Sequence, residues 1–325
     1  MLSPKENYLR MLRGDIPDFV PSSYDPYMMP VGDELLTPNS VPEGQEFVTA
    51  LGVTYVGCTD ANNGAMPKPG SVVIDDITKW RDQLKIRDIE GRDWEGYYKA
   101  KLAKIDRSKY CVAVSGADYF LTLVSLLGFE NAMLALYEEP EEVKALLTEI
   151  SKFYLKVAEE EIRWIKPEIY GVMDDDAAYR APFFSVDTYR EFFKPFHKLH
   201  CDLALENGCI VSRHDCGKSE QFVEDWLDLG MTSWNPCQVT NDIPGIKRKY
   251  GDRLTLSGAW DNVEVLNYSD EELLQKLEEY TETLAPGGRF VFAASAGGVL
   301  MNDPHRAEII RDYYENHVRY YYQTH

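Results

Sequence analysis

Basic residues are in short supply: 34 Lys and Arg stand against 54 Asp and Glu in 325 residues, a formal charge of -20. Such a surface repels a phosphate backbone and an anionic bilayer, so neither nucleic acid nor membrane is expected as a partner. Long apolar runs are also missing, with no stretch approaching the roughly 20 residues that span a bilayer. The opening Met1-Leu-Ser-Pro-Lys-Glu6 has neither the basic start nor the apolar stretch of a secretion signal, and a cytoplasmic location is expected. Six cysteines, at 58, 111, 201, 209, 216 and 237, are too sparse for a disulfide framework and are expected as free thiols. There is no low-complexity spacer, no internal repeat and no Gly-x-Gly-x-x-Gly after an early strand, which argues against a linker and against a dinucleotide site.

What is present is an alternation of short apolar runs with amphipathic stretches, the pattern of βα units and a parallel sheet. Eight runs are predicted as strands: Asp18 to Tyr24, Val53 to Cys58, Tyr110 to Ser115, Glu168 to Met173, Cys209 to His214, Thr232 to Asn235, Leu254 to Gly258 and Arg289 to Ala293. The clearest helix is Pro140 to Ile165, where Val143, Leu146, Leu147, Ile150, Phe153, Tyr154 and Val157 recur at helical spacing behind an acidic first turn. Eight strands with intervening helices predict an α/β fold, a (β/α)8 TIM barrel in one domain over 1–325. Its irregular N-terminal region, 1–108, supplies two strands and long loops.

In such barrels the active site is built at the carboxyl ends of the strands. The residues just past each predicted strand include Tyr24, Asp25, Asp60, Asp118, the triple Asp174-Asp175-Asp176, His214, Cys216, Cys237, Asp261 and Ser295. His214 and Cys216 are two apart on an ending strand, so both side chains point the same way. Imidazole and thiolate are typical zinc ligands, and Cys237 ends the neighbouring strand. Three ligands with a fourth position open suit a catalytic zinc, while a hydrogen-bonded His and a packing Cys remain the plain alternative. Crowding three carboxylates at one strand end raises at least one pKa, which makes Asp174 or Asp176 a candidate general acid; a solvated acidic loop is the other reading.

Several segments, in order, resemble the uroporphyrinogen decarboxylase superfamily. They are Ser185-Val-Asp-Thr-Tyr-Arg-Glu-Phe-Phe-Lys-Pro195, the turn His214-Asp-Cys-Gly217, Leu229-Gly-Met-Thr-Ser-Trp-Asn-Pro-Cys-Gln238, Lys249 to Asp261, and Pro286-Gly-Gly-Arg-Phe-Val-Phe292. The resemblance covers Tyr110 to the C-terminus well and the first hundred residues loosely. It implies a (β/α)8 barrel and one of two activities. Decarboxylation of a porphyrinogen calls for an Arg-rich turn near the first strand, yet Val20-Pro-Ser-Ser-Tyr-Asp-Pro-Tyr27 carries none, and only Asp60 matches a residue that binds pyrrole nitrogens.

The corrinoid-dependent methyltransferase branch has a His-x-Cys motif, matched by His214 and Cys216, and usually a second Cys after strand eight. Here Ala293-Ala-Ser-Ala-Gly-Gly298 stands instead. The resemblance therefore implies a zinc-assisted methyltransferase that passes a methyl group from a small methylated substrate, such as a methoxylated aromatic, to the cobalt of a separate corrinoid-binding protein. In this reading His214, Cys216 and Cys237 hold Zn2+, with Asp174 or Asp176 as a carboxylate substitute. Asp174, Asp176 and Asp261 serve catalysis, and Tyr24, Asp25, Asp60 and Tyr179 line the substrate. A metal-free barrel that holds a corrinoid or a partner without catalysis is the third expectation.

Overall fold

The computed structural model describes residues 1–324 except 26, 59–63, 117, 296 and 299–300; for 297–298 and 301–302 it describes the backbone alone. Its strands are β1 (Met28–Pro30), β2 (Glu46–Val48), β3 (Thr54–Cys58), β4 (Gly64–Pro67), β5 (Cys111–Gly116), β6 (Ile169–Met173), β7 (Ile210–His214), β8 (Met231–Cys237), β9 (Thr255–Gly258), β10 (Phe290–Val291), β11 (Gly297–Gly298) and β12 (Met301–Asn302). Seven of them form one curled sheet in the order β1-β5-β6-β7-β8-β9-β10, parallel throughout. Helices fill the crossovers, as parallel pairing requires.

Six of the eight expected strands fall into this sheet with ends shifted by a residue or two. The other two differ. The run Val53 to Cys58 becomes β3, which pairs antiparallel with β2 and β4 in a separate three-stranded sheet. Only Tyr55 of β3 is buried, whereas a strand inside a parallel sheet is covered on both faces. The run Asp18 to Tyr24 contributes a single parallel bridge, Ser22 to Phe292, and the strand that pairs with β5 lies further on, at β1. Pro21 and Val31 thus touch opposite edges of the sheet, with Phe292 N–H donating to Pro21 O at 2.8 Å and Val31 N–H to Ala113 O at 2.8 Å.

Strand alternation sorts the side chains into two sets. Val112, Val114, Tyr170, Val172, Val211, Arg213 and Trp234 turn outward and are covered by the helix layer. Tyr170 Oη bonds His200 on the helix Lys194–Glu206, and the Arg213 guanidinium lies 5.1 Å above Trp226. Inward, Cys111, Ile169 and Val291 meet Leu9, Met11 and Leu12 in a small cluster of their own, with Ile210 packed against it. That helix, Pro4–Leu12, is started by a capping box between Ser3 and Glu6 and closes the N-terminal end of the sheet.

One level higher the inward positions are small: Ser115, Gly171, Ser212 and Ser233 are in register across β5 to β8. A Cβ on Gly171 would sit 3.2 Å from that of Ser115. Among the described residues no single helix is long and apolar enough to cross a membrane.

Candidate metal centre

At the carboxyl ends of β6 and β7 the inward set ends in three ligand-type side chains. Register pairs Met173 with His214, so two residues on, Asp175 stands opposite Cys216. A carboxylate oxygen of Asp175, a ring nitrogen of His214 and the Cys216 sulfur lie within 4.8 Å of one another. His214 Nε2 is 3.7 Å from Cys216 Sγ and 3.8 Å from Asp175 Oδ1. All three side chains are partly exposed, which gives a ligand access.

Each member is held by a neighbour. His214 Nδ1 lies 2.9 Å from Asn235 Oδ1, and Asn235 Nδ2 faces the Arg213 carbonyl at 3.4 Å. That orientation makes the amide oxygen the acceptor, so Nδ1 carries the proton and Nε2 offers its lone pair. Metal-bound histidines are held in this way, by giving their other N–H to a neighbour. Asp175 Oδ1 accepts the Cys216 N–H at 2.8 Å, tying the two strand ends together. Gly217 follows at φ 84°, and a Cβ there would lie 2.3 Å from the Ala177 carbonyl oxygen, so only glycine fits the turn.

Burial and the adjoining Asp175 carboxylate push the Cys216 thiol well above its usual range. A divalent cation reverses that balance, since its charge favours the thiolate. Metal uptake is therefore expected to release a proton and to strengthen as pH rises. Replacing Asn235 by alanine is expected to weaken metal affinity by about 10–100-fold while leaving the fold intact, because it removes only the group that orients His214. Competition with a colorimetric chelator reads this directly, and unchanged affinity would show that Asn235 does not orient the ring.

The remaining expected site residues sit elsewhere. Cys237 is fully buried in the hydrophobic core, and its thiol points to the Ser257 carbonyl at 3.3 Å. The β8–β9 register slips between Trp234 and Cys237, so the two-residue alternation that aims Asn235 inward does not carry to Cys237. Asp175 takes the place expected of it. Asp174 and Asp176, the expected carboxylates, have the opposite parity and face the helix layer. Asp174 accepts the N–H groups of Phe120 and Leu121, both at 2.9 Å, and its Oδ2 is 3.3 Å from His197 Nε2.

Asp176 pairs with Arg213 at 2.5 Å, and Arg213 also bonds Asp215, all three fully buried. Burial raises the pKa of Asp174 and Asp176, but neither joins the group around His214. Asp261 accepts the N–H groups of Val263 and Glu264 at 2.9 and 2.8 Å, the geometry of a turn cap, beside a cleft of about 300 Å³ lined by Trp260, Tyr268 and Tyr280.

Asp25 is bound by Arg319 at 2.9 Å and by the Tyr314 hydroxyl at 2.7 Å. It anchors the C-terminal segment and is not free for a ligand. Tyr24 directs its hydroxyl to the Ala294 carbonyl at 3.3 Å. Tyr179 is exposed, and its carbonyl accepts the Thr240 hydroxyl. Asp60 lies outside the described residues.

Asp175, read from the sequence only as one of three crowded carboxylates, and Asn235, assigned no role from the sequence, complete the group around His214. Counting by twos from Ile169 reaches Asp175, but the phase of that count is visible only once the inward face is known.

The family model for uroporphyrinogen decarboxylase matches residues 103–316. A solved methyltransferase from Methanosarcina mazei superposes with a TM-score of 0.61 at 15% identity, over 96% of this chain and 98% of that one, a likeness of fold. No curated protein matches the chain.

Proposed function

Because the chain belongs to the uroporphyrinogen decarboxylase family, we propose that within it this protein is a zinc-assisted methyltransferase acting on a small methylated substrate. The observation that carries the reading is the trio Asp175, His214 and Cys216, with Asn235 fixing the His214 tautomer. One oxygen, one nitrogen and one sulfur donor on adjacent strand ends match the three-ligand, one-open-position pattern of catalytic zinc. The structural likeness to a methyltransferase agrees with it.

Zinc, when bound, supplies Lewis acidity toward the heteroatom that bears the methyl group, and the reduced cobalt of a corrinoid on a separate protein supplies the electron pair that takes the methyl. The residues of this chain do the positioning. Asp175 in place of a second thiolate leaves the donor set richer in oxygen and nitrogen, which suits polarising an ether oxygen better than activating a thiol. Ser115, Gly171, Ser212 and Ser233 put only small side chains below the trio, and the Pro4–Leu12 helix packs against the base of the sheet, so substrate is expected to enter from the carboxyl end. A methoxylated aromatic is the substrate class expected in this reading. The partner carrying the corrinoid meets a surface of charge -20, so complementary basic groups on its docking face are expected.

The test is twofold. Protein purified without chelator is expected to hold one zinc per chain, and incubation with methoxybenzoates and cob(I)alamin to give the absorbance of methylcobalamin. Decarboxylation of uroporphyrinogen by zinc-free protein would replace this reading with a decarboxylase. No zinc and no methyl transfer to cobalt would leave a barrel that only binds.

A further inference from the structure

The end of the sheet opposite the metal centre holds a second polar constellation. Arg289 directly precedes β10 and shares the inward parity of Val291. Leu256 N–H donates to the Arg289 carbonyl at 3.0 Å and Phe290 pairs with Leu256, which puts Arg289 level with Thr255 on β9. Arg289 is 9% exposed and Thr255 1%. Arg289 Nε, Arg289 Nη1 and the Thr255 hydroxyl are buried and have no hydrogen-bond partner among the described residues. Two buried guanidinium nitrogens without a partner are costly in a protein interior and call for an acceptor or counter-charge.

The surroundings supply none at close range. Asp15 and Asp252 act on Arg289 electrostatically but stand exposed at the rim. A second cation is present instead: Lys247 Nζ donates to the Gly288 carbonyl at 2.6 Å, one residue from Arg289. Burial and the neighbouring guanidinium push the Lys247 ammonium down to about 8. Two crowded cations in a chain with a large acidic excess run against its overall charge.

The backbone is shaped to hold them. Arg289 itself adopts φ 51°, Gly287 and Gly288 adopt 76° and 78°, and Gly14, just past the plugging helix, adopts 101°. A Cβ on Gly14 would lie 2.3 Å from Arg289 Nη2. A left-handed non-glycine residue is strained and persists where its surroundings hold it.

We propose that the base of the sheet binds a small inorganic anion, held by the unpartnered donors of Arg289 and the Thr255 hydroxyl, with Lys247 adding charge. The site is independent of the metal centre and of the methyltransferase reading. Its role is to join β9, β10 and the end of the Pro4–Leu12 helix through one charge.

Binding to the folded state alone stabilises it by mass action. Thermal unfolding of the purified full chain is followed in chloride, sulfate or phosphate, with ionic strength held constant by gluconate. A saturating rise in Tm of several degrees with at least one of these anions is expected, and the anion that acts at the lowest concentration names the occupant. Thr255→Val removes the hydroxyl at nearly constant shape and is expected to weaken the response at least tenfold in anion concentration; Lys247→Met is expected to weaken it as well. Arg289→Met is expected to abolish it where it folds, and Thr255→Val and Lys247→Met carry the test where it does not. A rise that does not saturate, or one identical in wild type and both of those variants, overturns the proposal, as does insensitivity to all three anions, which would leave water as the partner of these atoms.

Discussion

Asp175→Ala is expected to lose zinc, and Cys237→Ser to keep it. The pair of variants separates the trio proposed to hold the metal, Asp175, His214 and Cys216, from the set suggested by the order of residues in the chain. Groups that merely orient a ligand contribute about 10–100-fold to metal affinity, so loss of a ligand is expected at the upper end of that range or beyond, at least about 100-fold. Asp175 also accepts the Cys216 N–H, so alanine frees the turn as well as removing a donor.

Cys237 contributes one buried sulfur that reaches only a carbonyl oxygen, and serine at that point is expected to cost stability without touching metal content. Zinc per chain by plasma emission, on protein passed through a desalting column, reads both. Stoichiometric zinc in Asp175→Ala together with its loss in Cys237→Ser would reverse the assignment. Lowering pH is expected to release zinc from the wild type, because the Cys216 thiol regains its proton where burial and a carboxylate favour the neutral form.

Arg213→Met is expected to destabilise the fold by about 3–5 kcal/mol, the range for removing one partner from a buried ionic cluster. Among the described residues Arg213 is the one cation paired with the two fully buried carboxylates Asp176 and Asp215. These carboxylates flank the metal trio in sequence: Asp176 follows Asp175, and Asp215 lies between His214 and Cys216. Asp215 further accepts the Ser219 hydroxyl at 2.6 Å and the Asp176 N–H at 3.2 Å. The cluster thus locks the ends of β6 and β7 from the helix side while Asp175, His214 and Cys216 face inward.

Without the guanidinium both carboxylates must take up protons or water in a closed interior, which carries the cost. Urea denaturation at neutral pH measures it. Adding Asp176→Asn to Arg213→Met is expected to recover part of the loss, since it removes one of the stranded charges; a double variant weaker by the plain sum of the two single effects would show that the residues act independently.

The legibility of the fold varied with how local its signals are. The βα alternation marked six sheet strands and the 26-residue helix Pro140–Ile165, since burial on both faces of a parallel strand and on one face of a helix leaves a periodic trace in a short window. Val53 to Cys58 carried the same trace but pairs antiparallel outside the main sheet. An apolar run of five or six residues does not record which neighbours it will meet.

The site divides along the same line. The sequence by itself determined that His214 and Cys216 share a face, because residues two apart on a strand always do, and that three carboxylates crowd the end of the preceding strand. It also pointed to the family, through ordered segments between Ser185 and Phe292 that lie within the matched residues 103–316. Only the tertiary structure decided which of the three carboxylates turns inward and which cysteine turns away. Alternation has two phases, and nothing local chooses between them; the inward phase is set by the helices that cover Asp174, Asp176 and Arg213 from outside. A single slip of register between Trp234 and Cys237 accompanies the turning of Cys237 away from His214 and Cys216, while the pairing of β6 with β7 brings Asp175 beside them.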